Sequence, residues 1–149
     1  MKDDAMTQEF KVREKGIGGV PLVVVLRGLL LSLGLLALLG SSFIHLKLFL
    51  SGYRSIFVIG YMFLGQSVVG LALVLVLVLR RRMLWLVLSA TFLVGTAAAL
   101  LISINFGLFG FKDSLSAPYA QASFFVEIVG GIALAVASWL YRSKTTTLY

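Results

Sequence analysis

The chain contains no cysteine, and this absence excludes disulfides, thiolate metal sites and thiol nucleophiles. It has one histidine, no His-x-x-x-His pair and no phosphate-binding glycine loop followed by Lys and Ser or Thr. Six acidic residues leave too few carboxylates within the apolar blocks for paired acid–base catalysis or for a divalent-metal site. We therefore expect a protein that is not an enzyme and that uses no metal or cofactor.

Charge is also scarce, and long apolar runs take its place. Charged residues make up 13% of the 149 positions, and the mean hydropathy is +1.03. This composition lies far outside that of soluble globular proteins. Each apolar block is long enough to cross a hydrocarbon layer about 30 Å thick. The sequence therefore predicts an integral, multi-pass protein of the cell membrane.

The apolar blocks predict four membrane-spanning helices. Pro21 and Pro118 precede two of them, where proline is tolerated because its missing N–H would be unpaired in the first turn. The predicted fold class is all-α, a membrane-embedded up-down four-helix bundle with helices at about 21–50, 56–79, 84–104 and 119–141. This transmembrane domain covers residues 20–141, between tails of residues 1–19 and 142–149. The first tail mixes both signs of charge and lacks a cleavage signal, so we expect no cleaved signal peptide.

Lysine and arginine predict the orientation of the bundle. With four spans, the cations on one side are Lys47, Arg54 and Lys112. Those on the other side are Lys2, Lys11, Arg13, Lys15, Arg27, Arg80, Arg81, Arg82, Arg142 and Lys144. Because cytoplasmic segments carry the excess of cations, we expect both termini in the cytoplasm and Arg27 at the cytoplasmic headgroups. The net charge of +7 thus follows from topology, and we expect no nucleic-acid partner.

Small residues recur every four positions in the third predicted helix, at Thr91, Gly95, Ala99 and Ser103. The same spacing occurs in the first and fourth helices, at Ala37 and Ser41 and at Gly131 and Ala135. In lipid, helices associate through small residues that let their backbones approach. We expect these rows to make contacts within one bundle. Contacts with a second copy or with another subunit are the alternative.

One acid, Glu127, falls inside the fourth predicted helix. At 1.5 Å per residue it lies about 10 Å below the outer end of that helix, too deep for a short side chain to reach water easily. A carboxyl group at this depth is protonated, is hydrogen-bonded to a neighbouring helix, or faces a water-filled pocket. Ser123 and Gly131 lie four residues to either side. We therefore expect Glu127 to face the interior of the bundle.

Polar residues gather in the predicted outer half of the bundle, whereas the inner half is almost wholly Leu, Val, Ala and Gly. The outer group consists of Ser41, Ser42, His45, Tyr61, Gln66, Ser103, Asn105, Ser123 and Glu127. We predict a ligand-binding pocket beneath the aromatic, glycine-rich loop 106–119, formed by Glu127, His45, Gln66, Tyr61, Arg54 and Ser41.

Each of these residues also has a structural alternative. Gln66 and the serines serve equally well as interhelical hydrogen-bonding residues, and His45 as an interfacial residue. Glu127 would be structural if it paired with Arg54 or His45, and functional if it bound a ligand or exchanged protons. The loop 106–119 either packs over the bundle as a lid or anchors it in the interface.

Several segments carry a resemblance. HLKLF, GYRSIFVIG, FLGQS and GLFGFKDSLSAPYA, followed by Glu127, resemble a group of small four-span bacterial membrane proteins of unknown function, over about residues 43–131. This resemblance implies a bacterial plasma membrane but brings no activity or ligand. In size and four-helix layout the chain is also similar to the DoxX-like membrane proteins. That likeness is one of architecture, and it transfers no residue roles.

Three functions follow as hypotheses. The first is a non-enzymatic membrane protein whose outward-facing polar pocket binds or moves a lipid-like or small amphiphilic ligand. The second is an accessory or assembly subunit of a larger membrane complex, consistent with the small size and the rows of small residues. The third is a channel, which would need a homo-oligomer because the inner half of one bundle offers no polar path. Membrane lipids are the expected partners in each case.

Overall fold

The computed structural model describes residues 21–142, and these are all-helical. Its long helices are α1 (Leu22–Leu50), α2 (Phe57–Leu79), α3 (Met83–Asn105) and α4 (Ala120–Arg142), with a short 3-10 helix at Tyr53–Ser55. All four long helices are apolar and long enough to cross a membrane. The prediction of an all-α fold with four potential spans is confirmed, and the observed bounds differ from the predicted ones by at most one residue. The predicted tails lie outside the described residues, except for Arg142.

Local signals explain where the first two helices begin. The carbonyl of Pro21 accepts the N–H of Val24 at 2.8 Å, so the proline starts α1 without needing a donor of its own. Between α1 and α2 the chain reverses at Gly52, whose φ of 127° is a conformation that side-chain-bearing residues rarely adopt. Ser55 stabilises this turn by donating to the carbonyl of Gly52 at 2.7 Å.

Helix α1 is central to the packing. It packs closely on α2 and on α4, and α4 packs closely on α3. By contrast, α2 and α3 touch only sparsely, although they are neighbours in sequence. The helices therefore leave a lateral opening between α2 and α3.

The interior combines a core of leucine side chains with buried small and polar residues, and the exterior is apolar. Buried residues include serines on all four helices, while Leu, Val and Phe cover the outer faces. This arrangement suits helices that face lipid, where small residues bring backbones together. Helices α1 and α4 approach closely at Gly130, where an added Cβ would overlap the side chain of Ala37 and meet Leu93.

The rows of small residues have two different surroundings. Ala37, Ser41 and Gly131 are buried between helices, as expected. Ala135, the other residue of the α4 row, is exposed, so the expectation is wrong there. Thr91 and Gly95 are exposed, and an added Cβ on Gly95 would meet nothing within 4 Å. The expectation that the α3 row packs within the bundle is therefore wrong at these two positions. The cause is the divergence of α2 from α3, which leaves this face of α3 uncovered.

Arg27 is buried within the protein, with 8% of its surface exposed. Its guanidinium lies over the ring of Tyr141 from α4, with 5.0 Å between the guanidinium carbon and the ring centroid. Its Nε and Nη2 atoms have no hydrogen-bond partner among the described residues. The sequence predicts only that Arg27 lies at headgroup level, whereas the structure adds a specific aromatic partner.

The loop between α3 and α4 contains a tight turn. The backbone groups of Leu108 and Phe111 exchange hydrogen bonds of 2.7 and 2.8 Å. The two residues between them, Phe109 and Gly110, have φ values of 50° and 80°, as in hairpin turns with positive φ at both central positions. This turn directs Leu108 and Phe111 toward the bundle, while Phe109 stays exposed.

Candidate functional site

Glu127 on α4 is the centre of a buried polar cluster. Only 1% of its surface is exposed. Its Oε1 accepts a hydrogen bond of 2.7 Å from Ser41 Oγ on α1 and one of 2.9 Å from Ser123 Oγ, one turn earlier on α4. The carboxyl group is thus oriented by donors from two helices, as a buried carboxyl requires.

His45 extends this cluster on α1. Its Nδ1 lies 2.8 Å from the backbone carbonyl oxygen of Ser41, and because a carbonyl can only accept, Nδ1 carries the proton. Ser41 Oγ lies 3.3 Å from the same Nδ1, and Glu127 Oε1 lies 3.8 Å away. His45 therefore donates toward Ser41, whose hydroxyl in turn donates to Glu127.

A cavity opens beside this cluster, near the end of the bundle covered by the α3–α4 loop. Its volume of about 60 Å³ is enough for a few water molecules. Its polar and titratable lining consists of His45, Tyr53, Gln66, Thr96, Ser103, Asp113, Ser123 and Glu127. The loop contributes Leu108, Phe111, Asp113 and Pro118, so it forms part of the cavity wall.

Aromatic rings form one wall of the cavity. Phe63 stands edge-on to His45, with 5.3 Å between centroids, and 5.1 Å from the ring of Tyr53. Tyr53 also meets Phe111 from the loop at 5.8 Å. Burial raises the pKa of Tyr53 above its ordinary value of 10.0, and the charge of Asp113 raises it further. Tyr53 therefore remains a neutral phenol at neutral pH.

Two polar atoms beside the cavity have no hydrogen-bond partner within residues 21–142. They are Gln66 Oε1 on α2 and Ser103 Oγ on α3, and both residues line the cavity. Ser103 is itself 5% exposed. Buried polar atoms in proteins are normally hydrogen-bonded. These two are therefore available to a bound molecule.

A groove on the outer face of the bundle adjoins this cavity. It runs between α2 and α3 and is lined by Gln66, Val69, Leu73, Leu88, Thr91, Phe92, Gly95 and Thr96. Gln66 and Thr96 line both the groove and the cavity. Because the Thr96 hydroxyl donates to the carbonyl of Leu93 at 2.7 Å, the groove is more apolar than its composition indicates. The polar cavity and the apolar groove are therefore adjacent.

The structure separates the residues that the sequence assigns to the pocket. Glu127, His45 and Gln66 line the cavity, and Ser41 lies behind them, where it holds Glu127. Tyr61 does not belong to the cavity: it is 60% exposed and its ring packs against Phe57. Arg54 is also exposed and does not line the cavity. Of the two partners that the sequence offers for Glu127, it is His45 that lies within ion-pair distance, with 3.8 Å between Nδ1 and Oε1.

Sequence reasoning missed four residues that line the cavity. Tyr53 and Phe63 lack a polar signal that would set them apart from other apolar or interfacial aromatics. Asp113 belongs to the loop 106–119, and its spacing in the sequence does not indicate that it lines the cavity. Thr96 lies seven residues, about two helical turns, from both Ser89 and Ser103, and this spacing places the three residues on one face of α3.

Comparison of the chain with protein-family models, with curated proteins and with solved structures finds no match.

Proposed function

We propose that this chain is a non-enzymatic membrane protein that binds a small amphiphile and holds it for storage or transfer. Its helices run alternately up and down through a bacterial plasma membrane, with both termini in the cytoplasm and the cavity near the outer surface. The ligand's polar group occupies the cavity beside Glu127, and its apolar chain occupies the groove between α2 and α3. The observation that carries this proposal is that Gln66 and Thr96 line both spaces.

The polar end of the site supports this proposal through its unused hydrogen-bonding capacity. Gln66 Oε1 and Ser103 Oγ lack partners among the described residues, and Glu127 lies beside them at the cavity wall. Leaving a buried polar group unpaired costs about 1 to 3 kcal/mol. A ligand that supplies hydrogen bonds here offsets that cost.

The apolar end of the site supports the proposal because a ligand can enter it laterally, between α2 and α3. A ligand that dissolves in the bilayer can reach the groove without crossing water, because α2 and α3 barely touch. Gly95 lies on the floor of the groove with open space above its Cα. The cavity alone is too small for a whole lipid, so an acyl chain must lie outside it.

Binding of a panel of dodecyl amphiphiles to the full chain in lipid nanodiscs tests the proposal. The amphiphiles of the panel carry ammonium, trimethylammonium, hydroxyl or carboxylate headgroups. The measured quantity is the amount of each amphiphile bound to nanodiscs that contain the protein, minus the amount bound to empty nanodiscs. We expect saturable binding of at least one member at one site per chain. Gly95→Leu should weaken it about tenfold or more, because the leucine fills the groove.

The matched control is Gly65→Leu on α2. Gly65 also has nothing within 4 Å of an added Cβ, but it lines neither the groove nor the cavity. It should leave binding unchanged. If Glu127→Gln and His45→Ala lower only thermal stability in detergent while binding stays at the wild-type level, the polar cluster is structural and the proposal fails.

A second candidate function is that of an accessory subunit in a larger membrane complex. The exposed pair Thr91 and Gly95 favours it, because small residues four apart on an open helix face suit the close approach of another helix. Gentle solubilisation and pull-down through a C-terminal tag would recover a larger partner in stoichiometric amount. In that case Gly95→Leu should abolish recovery, and Gly65→Leu should preserve it.

A further inference from the structure

The side chains that line the cavity include two acids and, within residues 21–142, no lysine or arginine. The acids are Glu127 in the bundle and Asp113 in the loop. Lys47 lies instead over the ring of Tyr119, 4.7 Å from its centroid, and Lys112 and Arg54 are exposed. His45, whose Nδ1–H is used by Ser41, is the cavity's remaining titratable base. An anionic headgroup would therefore meet carboxylates without a compensating fixed cation.

The remaining wall also suits a cation. Phe63, Tyr53 and Phe111 form a continuous aromatic cluster beside the carboxylates. Aromatic faces attract ammonium groups through their negative quadrupole. A site that combines aromatic rings with a buried carboxylate favours a positive ligand by two independent interactions.

Hydrogen-bonding capacity narrows the class of cation. A primary ammonium has three N–H donors and no acceptor, whereas a quaternary ammonium has no donor. The cavity offers a carboxylate at Glu127, the unpartnered carbonyl oxygen of Gln66 and the unpartnered hydroxyl of Ser103. The limited cavity volume also favours the smaller primary ammonium.

We infer that the polar group of the ligand is a primary ammonium, bound between Glu127, Gln66 and Ser103 against the aromatic wall. This inference rests on the proposed function, since it assigns the headgroup of the amphiphile held in the groove. A single-chain amine and an aminolipid both present a primary ammonium. They differ in the length and number of their apolar chains.

The dodecyl panel in nanodiscs of zwitterionic lipid at neutral pH tests this inference. We expect dodecylammonium to bind at least about tenfold more tightly than dodecanol, dodecanoate or dodecyltrimethylammonium. Glu127→Gln should remove most of this preference. Because that variant can also lose stability, Asp113→Asn in the loop provides a second test and should weaken dodecylammonium binding several-fold, whereas Lys112→Gln should not weaken it.

The possible outcomes distinguish a failure of the headgroup assignment from a failure of the proposed function. If dodecanol or dodecanoate binds as tightly as dodecylammonium, the ammonium assignment is overturned while amphiphile binding stands. Equal binding of dodecyltrimethylammonium overturns the assignment of a primary amine. If no member binds in excess over empty nanodiscs, the proposed function fails and this inference fails with it. If dodecylammonium is preferred, a competition series in which a two-chain aminolipid takes its place distinguishes an aminolipid from a single-chain amine as the source of the headgroup.

Discussion

Ser41 on α1 donates a hydrogen bond of 2.7 Å to Glu127 on α4, joining positions 86 residues apart in sequence. Ser123 donates to the same carboxylate oxygen from within α4, and His45 contacts the backbone carbonyl of Ser41. The three side chains hold one carboxylate in place at the edge of the cavity. His45 Nδ1 lies 3.8 Å from the same oxygen, so a ligand would bind this carboxyl group beside the histidine.

Ser41→Ala should lower the free energy of unfolding. Interhelical hydrogen bonds in membranes average about 0.6 kcal/mol, but a carboxylate acceptor strengthens them, so we expect a loss of about 1 to 2 kcal/mol. Unfolding in mixed detergent micelles measures it. Ser32→Ala, an exposed serine of the same helix, should change stability by less than about 0.5 kcal/mol. Equal effects of the two substitutions would show that the bond to Glu127 contributes nothing.

Gly130→Ala should destabilise the packing of α1 on α4. The added methyl group would overlap Ala37 and press on Leu93, and overpacking of this kind costs about 1 to 3 kcal/mol. Gly65→Ala meets no neighbour and should be neutral or slightly stabilising. Ala37→Gly should restore part of the stability lost by Gly130→Ala. Without such a rescue, the close approach of the two helices is not the cause of the loss.

Arg27 and Tyr141 should be energetically coupled. The guanidinium is buried over the phenol ring, and a desolvated cation–π contact contributes about 1 to 2 kcal/mol. A double-mutant cycle with Arg27→Met and Tyr141→Leu measures the coupling energy. In the control cycle Arg142→Met takes the place of Arg27→Met, because Arg142 is an exposed cation that directly follows Tyr141 in sequence. A coupling energy near zero would mean that the two side chains are merely adjacent.

The phenol of Tyr53 should titrate above pH 10.0. Burial and the charge of Asp113 both disfavour the phenolate, so Asp113→Asn should lower the pKa of Tyr53 toward its ordinary value. The absorbance of tyrosinate, compared between the protein and its Tyr53→Phe variant, reports this pKa.

The raised pKa of Tyr53 also predicts how the stability of the protein changes with pH. Because the unfolded chain releases the Tyr53 proton first, the free energy of unfolding should fall as the pH rises from 10.0 to the higher pKa of the folded protein. Tyr53→Phe should remove this part of the pH dependence. An unchanged slope in that variant would assign the effect to other groups.

The orientation can be tested with single cysteines, since the natural chain has none. Ten of the thirteen Lys and Arg residues fall on the side we assign to the cytoplasm. In intact cells, a membrane-impermeant maleimide should label Ser116→Cys in the α3–α4 loop and leave Thr146→Cys unlabelled until the membrane is opened. The reverse pattern would place the cavity on the cytoplasmic side.

The sequence predicts which of the site residues lie close together for an identifiable reason. Ser41 and His45 are four residues apart, so any α-helix presents them on one face, and the depth of Glu127 brings it to the same level. Tyr61 and Gln66 share one end of α2 but are five residues apart. At about 100° per residue they point to different faces, and the structure exposes Tyr61 while Gln66 lines the cavity.

Hydropathy alone determined the four potential spans and nearly all of their boundaries, because each apolar run must be long enough to cross a bilayer. The spacing of small residues predicted close packing, which is found at Ala37, Ser41 and Gly131 but not at Thr91, Gly95 or Ala135. Hydropathy and spacing carry no information on the angle between neighbouring helices. Only the tertiary structure decided that α2 diverges from α3, so that Thr91 and Gly95 line an open groove and Gln66 joins it to the cavity beside Glu127.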